Sequence, residues 1–76
     1  MAAHCFKLRP AFFEPIFSGQ RDYHGRLEDP GIVPGDVIVF DEWTPKGLTG
    51  RTLTCQVLSK QRSRPYTIFT LDVIAR

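Results

Sequence analysis

The sequence is poor in the features that mark several classes of protein. It has two cysteines, Cys5 and Cys55, and no C-x-x-C pair, which argues against a disulfide-stapled secreted scaffold and a zinc site. Both thiols are expected to be reduced and partly buried. The longest apolar runs, such as 37–40, are about four residues, whereas a membrane-spanning helix needs roughly 20. The N-terminus also lacks the pattern of a secretory signal, so we predict a cytoplasmic protein that does not enter the membrane.

Catalytic signatures are also missing. Neither His4 nor His24 belongs to a Ser-His-Asp, Cys-His or metal-ligand spacing. On a strand, His4 and Cys5 would point to opposite faces and could not act together. The sequence therefore predicts no catalytic residue, no metal and no other cofactor.

What is present is typical of one soluble globular domain. The 76 residues are 42% apolar and 24% charged, and a chain of this length holds a single core. The net charge is only +2, but five of the eight acidic residues lie between Glu28 and Glu42. Basic residues crowd the stretch 60–64 instead. This asymmetry indicates a basic face separated from an acidic one.

The first 20 residues predict a strand followed by a short helix. Apolar and charged side chains alternate in residues 6–9, as on a strand. In residues 11–19 the apolar side chains recur at helical spacing. Because Pro15 removes a hydrogen bond inside a helix, we expect the regular helix to begin near Glu14 and to stop at Gly19.

The remaining residues predict strands and turns without helical periodicity. The predicted elements are an edge strand at 21–27, turns at 29–31 and 34–36, a central strand at 37–40, a loop or hairpin tip at 42–50, a strand at 53–57, a basic loop at 60–65 and a last strand at 69–73. This order favours an α+β fold, a small β-barrel of about five strands with one or two short helices.

Four segments, in this order, resemble a short bacterial and phage family of unknown function within the ASCH/PUA-like superfamily. They are His4–Leu8 with Pro10 and Phe13, Gly19–Arg26, Val33–Ile38, and Glu42–Trp43 followed by Gly47–Arg51. The resemblance covers nearly the whole chain. It implies a PUA-like barrel with a cleft beside the helix, in which RNA or a modified nucleoside could bind.

The second segment departs from the family pattern G-x-K-x-x-E-x-R. The lysine position holds Arg21 and the acidic position holds His24, whereas the last arginine is retained as Arg26. An arginine stays protonated, so Arg21 can stabilise an anion but is a poor proton acceptor. These departures argue against the hydrolase activity that the resemblance suggests for some relatives.

Eight side chains are candidates for contact with nucleic acid: Arg21, His24, Arg26, Trp43, Arg51, Lys60, Arg62 and Arg64. Guanidinium groups bind phosphate with two hydrogen bonds, an exposed Trp43 could stack on a base, and a basic loop at 60–64 suits a phosphate backbone. Each has a structural alternative: a charged edge strand, a tryptophan that seals the barrel, an ion pair of Arg51 with Glu42 or Asp41, or a solvated loop. Tyr23 and Tyr66 have the same alternatives as the tryptophan.

The resulting prediction is a monomeric, non-catalytic module that binds RNA or another nucleic acid. One alternative is a small hydrolase acting on RNA or a modified nucleoside such as acetylated cytidine, with an acid or base drawn from His4, His24, Asp41 and Glu42. A further alternative is a phage-type adaptor or inhibitor with a protein partner, which no feature of the sequence tests.

Overall fold

A computed structural model of the chain describes residues 2–27 and 31–76. These residues contain β1 (Ala3–Leu8), α1 (Pro10–Phe17), β2 (Tyr23–Arg26), β3 (Val37–Thr44), β4 (Gly47–Ser63) and β5 (Tyr66–Ala75). The strands form one sheet in the order β1-β3-β4-β5-β2, which curls into a half-barrel with the short helix. The predicted α+β, barrel-like fold is confirmed at this level. No helix in the described part of the chain has the length and apolar character needed to span a membrane.

The long strand β4 belongs to two halves of the sheet. Strand β1 runs parallel to β3, and the other neighbouring strands are antiparallel. The first part of β4, up to Leu53, pairs with β3 alone, residues 54–56 pair with both β3 and β5, and the last part, from Val57 to Ser63, pairs with β5 alone. The register between β4 and β5 shifts at residues 54–55 and 57–59. Such irregularities increase local twist, which helps the sheet to curl.

The core lies on the concave face, because alternate side chains of each strand point inward. Its fully buried members are Phe13 and Ile16 from α1, Ile32, Ile38 and Phe40 from β3 and the segment before it, Leu53, Cys55 and Val57 from β4, and Phe69 from β5. Helix α1 therefore covers part of the concave face with Phe13 and Ile16, which helical spacing places on the same side of the helix.

Helix α1 begins four residues earlier than the sequence predicted. Pro10 occupies the first turn, where its missing N–H costs no hydrogen bond and its fixed φ suits a helix. The N–H groups of Phe12 and Phe13 both donate to the Arg9 carbonyl at 2.9 Å. Pro15 remains inside the helix. Its missing N–H leaves the carbonyl of the exposed residue Ala11 to solvent.

Two predicted loops are largely strand. Trp43 lies in β3, and only Pro45 and Lys46 form the tip between β3 and β4. The stretch predicted as a basic loop extends β4 to Ser63, because backbone pairing with β5 outweighs the polar composition of that stretch. Cys5 is exposed rather than partly buried, while Cys55 is buried, and both are free thiols. The turn predicted at 29–31 falls mostly outside the described residues.

Candidate nucleic-acid interface

The basic residues that follow the second register shift belong to a three-stranded part of the sheet. We call this part the distal sheet: residues 59–63 of β4, residues 66–70 of β5, and β2. Two neighbouring rows of directly opposed residues cross it, Lys60, Phe69 and His24, and then Arg62, Thr67 and Arg26. Opposed residues share a face, and since Phe69 and Thr67 are buried, both rows belong to the concave face.

His24 is a neutral imidazole packed among aromatic rings. Its ring meets Phe40 edge-on at 5.0 Å between centroids and lies 6.5 Å from the Phe6 ring. Burial, and secondarily the charge of Arg26, lowers the pKa of His24 to about 4. Its Nε2 atom is buried and finds no hydrogen-bond partner among the described residues. His24 therefore packs where the two edge strands β1 and β2 approach each other.

Arg26 is held by an aromatic contact across the same opening. Its Cζ atom lies 3.9 Å from the centroid of the Phe6 ring. A guanidinium stacked in this way keeps its N–H donors free in its own plane. Among the described residues, no carboxylate lies within ion-pair distance of Arg26. The side chain is thus oriented by Phe6 and can donate two hydrogen bonds to a phosphate.

Two further arginines border the distal sheet. Arg21 lies just before β2, its N–H donates to the Pro15 carbonyl at 3.0 Å, and its Cζ atom is 5.1 Å from the Tyr23 ring. Arg64 lies in the exposed turn between β4 and β5. The structure therefore gathers six of the eight predicted residues at the distal sheet: Arg21, His24, Arg26, Lys60, Arg62 and Arg64.

Trp43 and Arg51 lie at the other end of β4. Ten residues of one strand lie between Arg51 and Arg62, a span of about 30 Å even after allowance for the bulges. Trp43 is half-buried, and the Cζ atom of Arg9 lies 4.4 Å above its ring. These two residues are not part of the same surface as the other six.

Arg51 is engaged by carboxylates. Its Nε and Nη2 atoms donate to the two oxygens of Glu42 at 2.9 and 2.7 Å, and Nη2 also donates to Glu14 at 2.6 Å. The Thr49 hydroxyl donates to Glu42 at 2.7 Å, and the Arg51 guanidinium lies 4.7 Å from the Phe17 ring. Hydrogen bonds from Arg51 and then Thr49 hold the pKa of Glu42 below its ordinary value. The ion-pair alternative considered for Arg51 is the arrangement that the structure has.

A second polar cluster fixes the start of β1. Asp36 accepts hydrogen bonds from the N–H groups of Ala2 and Val33 at 3.1 and 3.2 Å, and its other contact is His4 Nε2 at 3.0 Å. The hydrogen bond from Ala2, followed by that of His4, lowers the pKa of Asp36 to about 2. Sequence reasoning missed this pair, since only the parallel pairing of β1 with β3 brings the two residues together. The described residues contain no group of three or more acidic, histidine or cysteine side chains placed to hold a metal ion.

The curled sheet with one short helix defines a small barrel-like α+β domain with a basic distal end. A family model matches residues 3–71, and the chain belongs to that family, the domain of unknown function DUF3850. The match runs from β1 into β5 and so includes residues of every strand. Comparison with curated proteins finds no significant match.

Proposed function

We propose that this domain is a PUA-like module of the ASCH type that binds single-stranded RNA, or another nucleic acid, without catalysing a reaction. The observation that carries the proposal is the grouping of five cationic side chains at the distal sheet: Arg21, Arg26, Lys60, Arg62 and Arg64. The curled sheet supports the fold part of the proposal, since a PUA-like domain is a small barrel of this kind.

The placement of charge supports a polyanionic ligand. Arg51 bonds Glu14 and Glu42 at the other end of β4, and Asp36 is paired with His4. Asp22 lies beside Arg21 just before β2, so the cations outnumber the described acidic residues at the distal sheet. Glu28 and Asp29 lie outside the described residues. Clustered cationic side chains attract a polyanion at long range. When they bind its phosphates, the counterions condensed on the nucleic acid are released, which favours binding.

The state of the candidate proton-transfer groups supports binding over catalysis. Arg21 cannot accept a proton at neutral pH. His24, with a pKa of about 4, is a weak base at neutral pH, and efficient general bases have a pKa close to the working pH. Arg21 can still contribute its charge to a binding surface.

The test measures fluorescence anisotropy of a labelled single-stranded RNA at low and at physiological salt. We expect the double variant Arg26→Gln/Arg62→Gln to lose about tenfold or more in affinity and to lower the slope of log affinity against log salt by about 1.4, from two lost phosphate contacts. The matched control is Lys7→Gln/Lys46→Gln, which removes the same charge from exposed positions away from the distal sheet.

Equal affinities of both double variants, with unchanged circular dichroism, would place the interface elsewhere. Absence of binding to any single-stranded oligonucleotide at low salt would overturn the proposal, and cleavage of the RNA by the wild-type protein would contradict its non-catalytic part.

A further inference from the structure

The convex face of the distal sheet differs in character from its basic concave face. Its outward positions form a grid of three strands: Ser59, Gln61 and Ser63 on β4, Thr70, Ile68 and Tyr66 on β5, and Tyr23 and Gly25 on β2. None of these side chains carries a charge. Tyr23 and Tyr66 are 45% and 51% exposed, which is unusual for side chains of their size.

Gly25 lies on the edge strand β2, opposite Ile68, and neither its backbone conformation nor a close contact requires glycine there. It is not among the glycines with positive φ. A Cβ atom added at this position would meet only Ile68 Cγ1, at 3.9 Å, which is an ordinary contact. A glycine weakens a strand and often marks a place where a ligand approaches the backbone closely. Here it leaves an open floor over Ile68 between the two tyrosines.

We propose that Tyr23, Gly25, Ile68 and Tyr66, the tyrosine platform, stack unpaired bases of the single-stranded RNA. The inference rests on the proposed function: phosphates contact the basic concave face, the RNA passes over the edge strand β2, and its bases reach the convex face. Tyr23 and Tyr66 lie one strand and four residues apart, about 14 Å between Cα atoms. That distance accommodates two bases on a sheet surface, as exposed aromatic residues do on other RNA-binding sheets.

The surroundings of the platform fit RNA better than a protein partner. Arg21 lies against Tyr23, with its Cζ atom 5.1 Å from the ring, and Arg64 precedes Tyr66 by two residues in the exposed turn. A cation thus lies over the Tyr23 ring, and Arg64 adds positive charge close in sequence to Tyr66, which favours a polyanionic ligand. The hydroxyl groups and the amide of the β4 positions and Thr70 can pair with base edges, whereas an apolar partner would leave them unsatisfied.

The decisive variant is Gly25→Val, which fills the floor with a side chain that favours strands. We expect its melting temperature to equal or exceed that of the wild type, and its affinity for a labelled RNA to fall about tenfold. Tyr23→Leu and Tyr66→Leu should each lose about fivefold or more, whereas Tyr23→Phe should bind like the wild type. Thr52→Val, an outward position on the proximal part of β4, serves as the matched control.

An abasic oligonucleotide of the same length separates this inference from the proposed function, because it keeps the phosphates and lacks the bases. We expect the wild type to bind it more weakly than RNA, and Gly25→Val to bind it as well as the wild type does. If the wild type binds both probes equally, or if Gly25→Val retains full RNA affinity while Arg26→Gln/Arg62→Gln loses it, the platform is wrong and the proposed function stands. If Gly25→Val changes only self-association, the face is an interface between copies. If neither probe binds the wild type, the proposed function itself fails.

Discussion

Among single residues, His24 has the clearest energetic consequence. Its imidazole is buried beside Phe40 and faces the charge of Arg26, and its pKa falls from 6.5 to about 4. Because the folded-state pKa lies below the unfolded-state value, the unfolded chain binds more protons between these two pH values. The free energy of unfolding therefore keeps the full contribution of neutral His24 above pH 6.5, and this contribution is lost as the pH falls towards 4.

We predict that His24→Phe removes this pH dependence. For the wild type, the free energy of unfolding should fall by up to about 3 kcal/mol between pH 6.5 and 4. The variant keeps an aromatic ring against Phe40 and should show a much flatter profile in denaturant titrations. The carboxylates of Asp36 and Glu42 lose their contributions only below their unfolded-state pKa values of 3.8 and 4.5, and they do so in both proteins. Their effect therefore cancels when the variant is compared with the wild type. Equal slopes for the two proteins over this window would show that His24 does not titrate as described.

The sequence identified most charged residues of the site but not their partners. Arg26 stands out in the sequence because arginine near a strand edge suits phosphate. Its contact with Phe6 could not be predicted from the sequence, because only the curl of the whole sheet brings β1 close to β2. Likewise, the sequence did not distinguish Asp41 from Glu42 as the partner of Arg51. The structure pairs Arg51 with Glu42, because the Glu42 side chain is the one that points to the concave side.

Among the elements, helix α1 lacks two local features that usually stabilise a helix, a side-chain cap and an interior free of proline. It has no side-chain cap at Arg9 and carries Pro15 inside. The apolar spacing of its residues predicted the buried face correctly, with Phe13 and Ile16 in the core. Its start was predicted too late, because the prediction placed the regular helix after the disruption expected from Pro15. In the structure, Pro10 in the first turn favours an earlier start.

Pro15→Ala is expected to stabilise the protein by about 1–2 kcal/mol. The variant regains an N–H that can donate to the Ala11 carbonyl, a gain of about 3 kcal/mol that is offset in part by the greater freedom of the unfolded chain. The Pro15 carbonyl keeps its bond from the Arg21 N–H. Thermal denaturation followed by circular dichroism measures the change. Pro10→Ala is the control and should have the opposite sign, a loss of about 0.4–1 kcal/mol, because it frees the unfolded chain without restoring a hydrogen bond. A lower melting temperature for Pro15→Ala would mean that ring packing outweighs the hydrogen bond.

Across the whole molecule, Arg51 joins elements that the backbone leaves separate. Its guanidinium bonds Glu14 of α1 and Glu42 of β3, and it lies over the Phe17 ring of the helix. The strand pairing itself could be anticipated from alternation in β4 and β5. This attachment of the helix to the sheet could not, since it depends on three side chains from distant segments.

We therefore predict that Arg51→Lys lowers the melting temperature, although the charge is kept. Lysine cannot form the two-pronged bond to Glu42 or stack on the ring in the same way. Glu42→Gln should also destabilise, and the double variant should lose less than the sum of the two single losses because the residues are coupled. Arg64→Lys, in the exposed turn, is the matched control and should leave the melting temperature unchanged. Additive losses would show that the two residues act independently.

The order of strands in the sheet also determines when each can form during synthesis. Strand β1 must wait for β3, since Ala3 pairs with Val37, and β2 must wait for β5, since Tyr23 pairs with Thr70. Pairings between such distant segments slow folding. Among the strands that the structure describes, only the hairpins β3–β4 and β4–β5 join consecutive strands. Strand β1 can therefore pair once residues 37–44 have been made, whereas β2 stays unpaired until the ribosome has produced residues 66–75. The distal sheet is thus among the last parts of the domain to form.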